Sequence, residues 1–169
     1  MPKIGLFYAS STGNTKDIAE LIKKKMTNNE VDLHDIAKSV ANAMNNYDLI
    51  IIGASTWGEG DLQDDWEDYI DNLDSINFSK KTVAMFGLGD QETYCDNFLD
   101  AMGTIYDRII QHGANVIGSW PTDGYDFEES TAIHNGEFVG LALDEDNQSE
   151  LSSERVERWI EQITPYFNK

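Results

Sequence analysis

Four branched aliphatic residues in a row, Leu49-Ile50-Ile51-Ile52, stand without a polar residue between them. A strand with one face in water alternates polar and apolar side chains. An unbroken run predicts a strand covered on both faces, as in the interior of a parallel sheet. Lys3–Tyr8 and Thr82–Gly87 have the same character, Val31–Ile36 alternates, and Asn115–Gly118 begins a fifth strand. Between these runs the apolar residues recur at helical spacing. Thr15–Met26 carries Ile18, Ala19, Leu21, Ile22 and Met26, and Ile36–Met44 predicts a modest helix. Leu62–Leu73 places Trp66, Tyr69, Ile70 and Leu73 on one side and acids on the other. Asn97–His112 predicts a long helix with Gly113 at its C-terminal cap. The last helix spans roughly Ser153 to Phe167, with Ser152 as candidate N-cap and Glu154 in the first turn.

Strand followed by helix, five times, implies right-handed crossovers. The expected fold class is α/β: one doubly wound five-stranded parallel sheet with helices on both faces. The fifth strand breaks at Trp120-Pro121, and strand character resumes only at Phe138–Leu143. Residues 120–138 therefore read as an insertion within that strand, inside a single domain spanning 1–169. Ligands of such sheets lie beyond the carboxyl ends of the strands, which singles out the loops after the first, third and fourth strands.

The charge is lopsided. Twelve Lys and Arg face 31 Asp and Glu, a net charge of −19, and residues 1–56 are balanced, so the excess begins at Trp57. No base lies between Lys38 and Lys80, whereas Glu59, Asp61, Asp64, Asp65, Glu67, Asp68, Asp71 and Asp74 crowd together. Nucleic-acid binding is disfavoured, since phosphates need a basic face. The acids serve either as a solubilising surface or to steer a basic protein partner. No apolar run approaches the roughly 18 residues of a membrane span, and no secretory leader is visible. The one cysteine, Cys95, excludes an internal disulfide and fits a reducing compartment. A cytoplasmic monomer is the expectation.

Ser10-Ser11-Thr12-Gly13-Asn14-Thr15 sets hydroxyls, an amide and a glycine between a strand and a helix N-terminus. Backbone N–H groups and the positive end of the helix dipole converge there, which suits an anion held by neutral donors. Simple helix capping by Ser or Thr is the plainer alternative. Other phosphate patterns fail: Gly13 is followed by Asn14-Thr15 rather than Lys-Ser/Thr, no GxGxxG follows the strand, and Ala101 stands where Cys95 would need an arginine. Ala54–Asp61 carries Trp57 beside Gly58 and Gly60, and Gly87–Tyr94 carries Tyr94 on the neighbouring loop. Two rings beside an anion cradle suggest a flat aromatic ligand between them.

These three loops, and the chain as a whole, resemble flavodoxins, and the interrupted fifth strand is similar to that of their long-chain subgroup. The resemblance implies non-covalent FMN binding. Ser10, Ser11, Thr12, Gly13, Asn14 and Thr15 would hold the phosphate. Trp57 and Tyr94 would sandwich the isoalloxazine, with Tyr94 outermost. Backbone groups of Gly58, Glu59 and Gly60, and of Leu88, Gly89 and Asp90, would meet its polar edge. Thr56, Asn14 and Asp146 would reach the ribityl chain. It further implies a low-potential one-electron carrier, not an enzyme, cycling between semiquinone and hydroquinone. Its donor would be a flavin- or iron-sulfur-containing reductase with a basic face, and its acceptor a metabolic enzyme. Two other readings stay open. A phosphorelay receiver shares the plan but needs acids where Ala9-Ser10 and Gly53-Ala54 stand. An FMN-dependent NAD(P)H or quinone reductase of the same fold would oxidise its substrate directly.

Overall fold

The computed structural model describes residues 3–168. The first strand, β1 (Lys3–Tyr8), lies between β2 (Glu30–Asp35) and β3 (Leu49–Trp57); β5 (Thr82–Leu88) follows, then β6 (Asn115–Ile117), all parallel in the order β2-β1-β3-β5-β6. The order reverses after β1, as in a doubly wound sheet. Ile50, Ile51 and Ile52 are fully buried, as are Val83, Ala84, Met85 and Phe86 in β5. The two central apolar runs thus occupy the two-sided interior their lack of alternation demands.

Among the described residues four α-helices cover the sheet. On one face α1 (Asn14–Lys25) packs against α4 (Ser152–Phe167). On the other, α2 (Asp64–Tyr69) continues into a 3-10 turn, Ile70–Ser75, that packs on α3 (Asp100–Gln111). The expected helix over Leu62–Leu73 is therefore two pieces. Its buried face stands as expected, with Trp66, Tyr69, Ile70 and Leu73 in the core. Ile36–Met44 is not one helix but two 3-10 turns, Ile36–Lys38 and Ala43–Asn46, the first capped by the Asp35 carboxylate. Its buried residues, Ile36, Ala43 and Met44, lie at the two ends and leave no continuous stripe to hold a helix. The Asn97–His112 helix begins three residues late, at Asp100, and ends as expected, with Gly113 at φ 90 just beyond its C-cap His112. Ser152 does not cap α4: it is the first helical residue, and its hydroxyl is buried without a hydrogen-bond partner.

The edge beyond β5 is shared. β6 pairs with Thr82–Ala84, and β9 (Leu141–Leu143) pairs in parallel with Phe86–Leu88. Between them the chain leaves the sheet, and a hairpin forms from β7 (Ile133–His134) and β8 (Glu137–Phe138). Phe138 thus belongs to the hairpin and not to one strand running on to Leu143. The return passes over Met85, where a Cβ on Gly140 would run into the Met85 carbonyl. Inside the excursion, Tyr125, Phe127 and Phe138 gather around Phe98. Tyr125 donates to the Ala142 carbonyl at 2.5 Å and lies under Arg155, 4.2 Å from its ring centre.

Candidate functional site

The loop from β1 to α1 leaves the helix N-terminus without a side-chain cap. α1 starts at Asn14 after Gly13, whose φ is 96. The Ser10 hydroxyl accepts from the Gly13 N–H at 3.0 Å and shapes the loop, so simple capping is not what these hydroxyls do. The first N–H groups of a helix have no intrahelical acceptor, and beside them stand Ser11, Thr12, Asn14 and Thr15. A short strand, β4 (Asp61–Leu62), turns back on β3 and pairs Trp57 with Asp61. Gly58 and Gly60 make that turn with φ of 50 and 94. The Trp57 indole N–H donates to the Ser55 hydroxyl at 2.9 Å, fixing the ring at the strand end. On the next loop, the Tyr94 N–H donates to the Asp90 carbonyl at 3.0 Å, closing a turn that presents the phenol.

A cavity of about 320 Å³ opens between these loops, within the range of roughly 300–1,000 Å³ typical of small-molecule sites. Of the residues expected in a site, it is lined by Ser11, Thr12, Asn14, Thr15, Thr56, Trp57, Gly58, Leu88, Gly89, Asp90, Tyr94 and Asp146. Trp57 and Tyr94 are 41% and 39% exposed, high for rings that could pack elsewhere, and neither contacts another aromatic ring among the described residues. Such placement suits a flat ligand between them, with an anion at the α1 end. Ser10, Gly13, Glu59 and Gly60 do not line the cavity. Glu59 is exposed in the turn, and Gly60 sits against the Asp100 carboxylate. The Thr56 hydroxyl is engaged as an acceptor for the Ala101 N–H at 3.0 Å, at the start of α3.

Sequence reasoning passed over Ser55 and Glu145, which also line the cavity. Ser55 was accessible, since residues two apart on a strand share a face and Trp57 follows it by two. Gln63 was not. Buried, it caps α2 by accepting from the Asp65 and Trp66 N–H groups at 2.8 and 3.3 Å, while its amide donates to Ser11 at 2.8 Å.

Three carboxylates, Asp90, Glu145 and Asp146, line the cavity, and among the described residues no Lys or Arg does. Burial alone would push the Asp90 carboxyl up. The hydrogen bonds it accepts from Thr93, Asn147 and Glu92 outweigh burial and hold it below the usual aspartate range. Asp146 is raised, first by burial and then by the charges of Asp90 and Asp144. Asp144 itself is wholly buried, and its carboxylate accepts from Gln91, Asp146 and Asn147. Behind the ring loop, the Cys95 carbonyl accepts from the Glu128 and Glu129 N–H groups at 2.8 and 3.0 Å, which docks the excursion against it. Among the described residues no side-chain group could hold a metal ion, and no helix is long and apolar enough to cross a membrane.

Known proteins share this arrangement. The family model for flavodoxin matches residues 6–159. A flavodoxin of Synechocystis is 53% identical over 166 residues, covering 98% of each chain. A flavodoxin of Haemophilus influenzae is 49% identical over 164 residues, 96% of this chain and 94% of its own. In structure, a Fusobacterium nucleatum flavodoxin bound to flavin mononucleotide superposes with a TM-score of 0.94 at 33% identity, over 99% of both chains. The fold and nearly the whole length agree, and the chain belongs to the flavodoxin family.

Proposed function

We propose that this chain holds FMN non-covalently in the cavity and carries single electrons between proteins at low potential, converting no substrate of its own. The observation that carries the reading is the placement of two exposed rings, Trp57 and Tyr94, around the same cavity as the uncapped start of α1. The donor set fits the cofactor. Ser10–Thr15 offers hydroxyls, an amide and helix N–H groups to a phosphate, and Gly13 has open space where a Cβ would stand. Trp57 and Tyr94 flank the ring; Gly58 to Gly60 and Leu88 to Asp90 offer backbone groups to its edge. Thr56, Asn14 and Asp146 serve the ribityl chain. FMN, when bound, supplies the one-electron chemistry, and the protein sets its environment.

Two features of the chain tune that environment. Asp90, Glu145 and Asp146 make added negative charge in the cavity unfavourable, which lowers the potential of the second electron. Gly58, already at a positive φ, lets the Gly58-Glu59 peptide turn without a Cβ penalty. Partners are redox proteins with basic faces, a flavin- or iron-sulfur-containing reductase as donor and a metabolic enzyme as acceptor. Supporting this, Glu59, Asp61, Asp64, Asp65, Glu67 and Asp68 flank Trp57 and make no ion pair among the described residues. Asp71 and Asp74, in contrast, share an ion pair with Arg108, each at 3.1 Å. A monomer in the cytoplasm fits the net charge of −19 and the free thiol of Cys95.

The test is stepwise reduction of the FMN-loaded protein, followed by its visible spectrum. Two separate one-electron steps are expected, and no oxidation of NAD(P)H unless a reductase is added. Direct NAD(P)H turnover would reassign the chain as an enzyme.

A further inference from the structure

We infer that Asn147 is a positioning residue whose carboxamide fixes the Asp90 carboxylate at the cavity wall, and thereby fixes the negative charge that a bound flavin meets. The inference deepens the FMN-binding reading and rests on it. The Asn147 amide nitrogen has two hydrogens and two carboxylate acceptors: Asp90 Oδ1 at 2.8 Å and Asp144 Oδ2 at 2.9 Å. Its own backbone N–H is tied to Asp144 Oδ1 at 3.0 Å. The side chain therefore starts from a wholly buried anchor and reaches forward to the cavity. There Asp90 Oδ1 also accepts from the Glu92 and Thr93 N–H groups, at 3.1 and 2.9 Å. One oxygen thus closes the turn leading to Tyr94 and carries the tether.

The other two carboxylates lining the cavity have no such restraint. The side chains of Glu145 and Asp146 make no hydrogen bond or ion pair among the described residues. A mobile carboxylate swings toward water and is screened, whereas a fixed one facing a stacked, water-excluding ring acts at short range. Of the three, Asp90 is the one whose position the protein specifies, and Asn147 links it to the core.

Two readouts test this. The first needs no cofactor: a ¹³C carboxyl titration of the FMN-free protein, with Asp90 resolved from Glu92, Asp144, Glu145 and Asp146. Asn147→Ala is expected to move the Asp90 midpoint upward and to speed amide exchange at Thr93. The second is a double-mutant cycle on the FMN-loaded protein. Asn147→Ala and Asp90→Asn are each expected to raise the potential of the second electron, and the double variant to match Asp90→Asn alone. Asn147→Ala should also weaken FMN binding, by about three- to tenfold. An unmoved Asp90 titration, or potential shifts that add in the double variant, overturns the inference; a purely structural role would lower the urea midpoint and do no more. Asn147→Ser, which has one O–H in place of two N–H donors, carries the same test should the alanine variant unfold. If the wild type fails to bind FMN, the cofactor reading falls, and the Asp90 titration still decides whether Asn147 positions it.

Discussion

Gln91 donates twice to one oxygen of Asp144: its backbone N–H at 3.1 Å and its side-chain amide at 2.7 Å, both to Oδ2, with both residues buried. The Gln91 side-chain Oε1 meanwhile accepts from the Asp126 N–H at 2.6 Å. One side chain thus joins three segments distant in sequence: the loop that presents Tyr94, the turn after β9, and the excursion between β6 and β9. A buried carboxylate is tolerable only when its lone pairs are met, and Gln91 supplies the shortest of the donors.

Replacing Gln91 with alanine removes the side-chain donor from Asp144 and leaves the Asp126 N–H without its acceptor. We expect a loss of about 2–4 kcal/mol of stability in the FMN-free protein. Urea unfolding measures it, as a lower midpoint with an unchanged slope.

Trp57 and Trp66 stand nine positions apart and should respond oppositely to truncation. Trp66 is fully buried, with its indole N–H on the Gly53 carbonyl at 3.0 Å. Trp66→Ala should cost about 3–5 kcal/mol of stability. Trp57→Ala, at a 41% exposed ring, should leave the FMN-free protein nearly as stable. It should instead raise the FMN dissociation constant roughly tenfold to a hundredfold, as should Tyr94→Ala. Flavin fluorescence titration and thermal unfolding separate the two effects.

Asp146 gives a pH dependence of definite sign. Its carboxyl is raised in the folded protein, so the folded state binds this proton more tightly than the unfolded chain does. Stability from that proton is present at low pH and is lost as pH rises through the raised midpoint. Asp146→Asn should therefore be more stable than wild type at neutral pH. The advantage should shrink to nothing as pH falls below the ordinary aspartate range. Paired urea titrations at several pH values read it directly.

The unpaired acids beside Trp57 make electron transfer salt-sensitive. With a basic-faced reductase, the second-order rate should fall steeply as ionic strength rises from about 10 to 300 mM. Asp64→Asn with Asp68→Asn should flatten that slope, while Asp71→Asn, which loses a partner of Arg108, should affect it less. A rate indifferent to salt would return these acids to a solubilising role.

The sheet was legible because burial on two faces forces uninterrupted apolar runs, as at Ile50–Ile52 and Val83–Phe86. The three loops were legible because hydroxyls, glycines and two large rings gather at the carboxyl ends of neighbouring strands, where such sheets bind ligands. What the sequence hid depends on contacts between distant segments. Nothing local in Asp144-Glu145-Asp146 marks a buried carboxylate, yet Asp144 is wholly buried, since its donors come from Gln91 and Asn147. The break in the last strand was legible at Trp120-Pro121, but not that pairing resumes only at Leu141, after Gly140 has passed close over the Met85 carbonyl, a long-range contact with no local signature. The 3-10 turns at Ile36–Lys38 and Ala43–Asn46 replace a helix because Val40 and Ala41 between them are exposed and bury no continuous stripe.

The central claim is that three loops at one rim of the sheet form a single flavin site. Titrating the FMN-free protein into riboflavin 5′-phosphate, with the flavin emission followed, tests it most directly. Stoichiometric quenching at one flavin per chain, lost on removal of the Trp57 and Tyr94 rings, is the predicted result. Emission that stays at the level of free flavin in the presence of folded protein would contradict it.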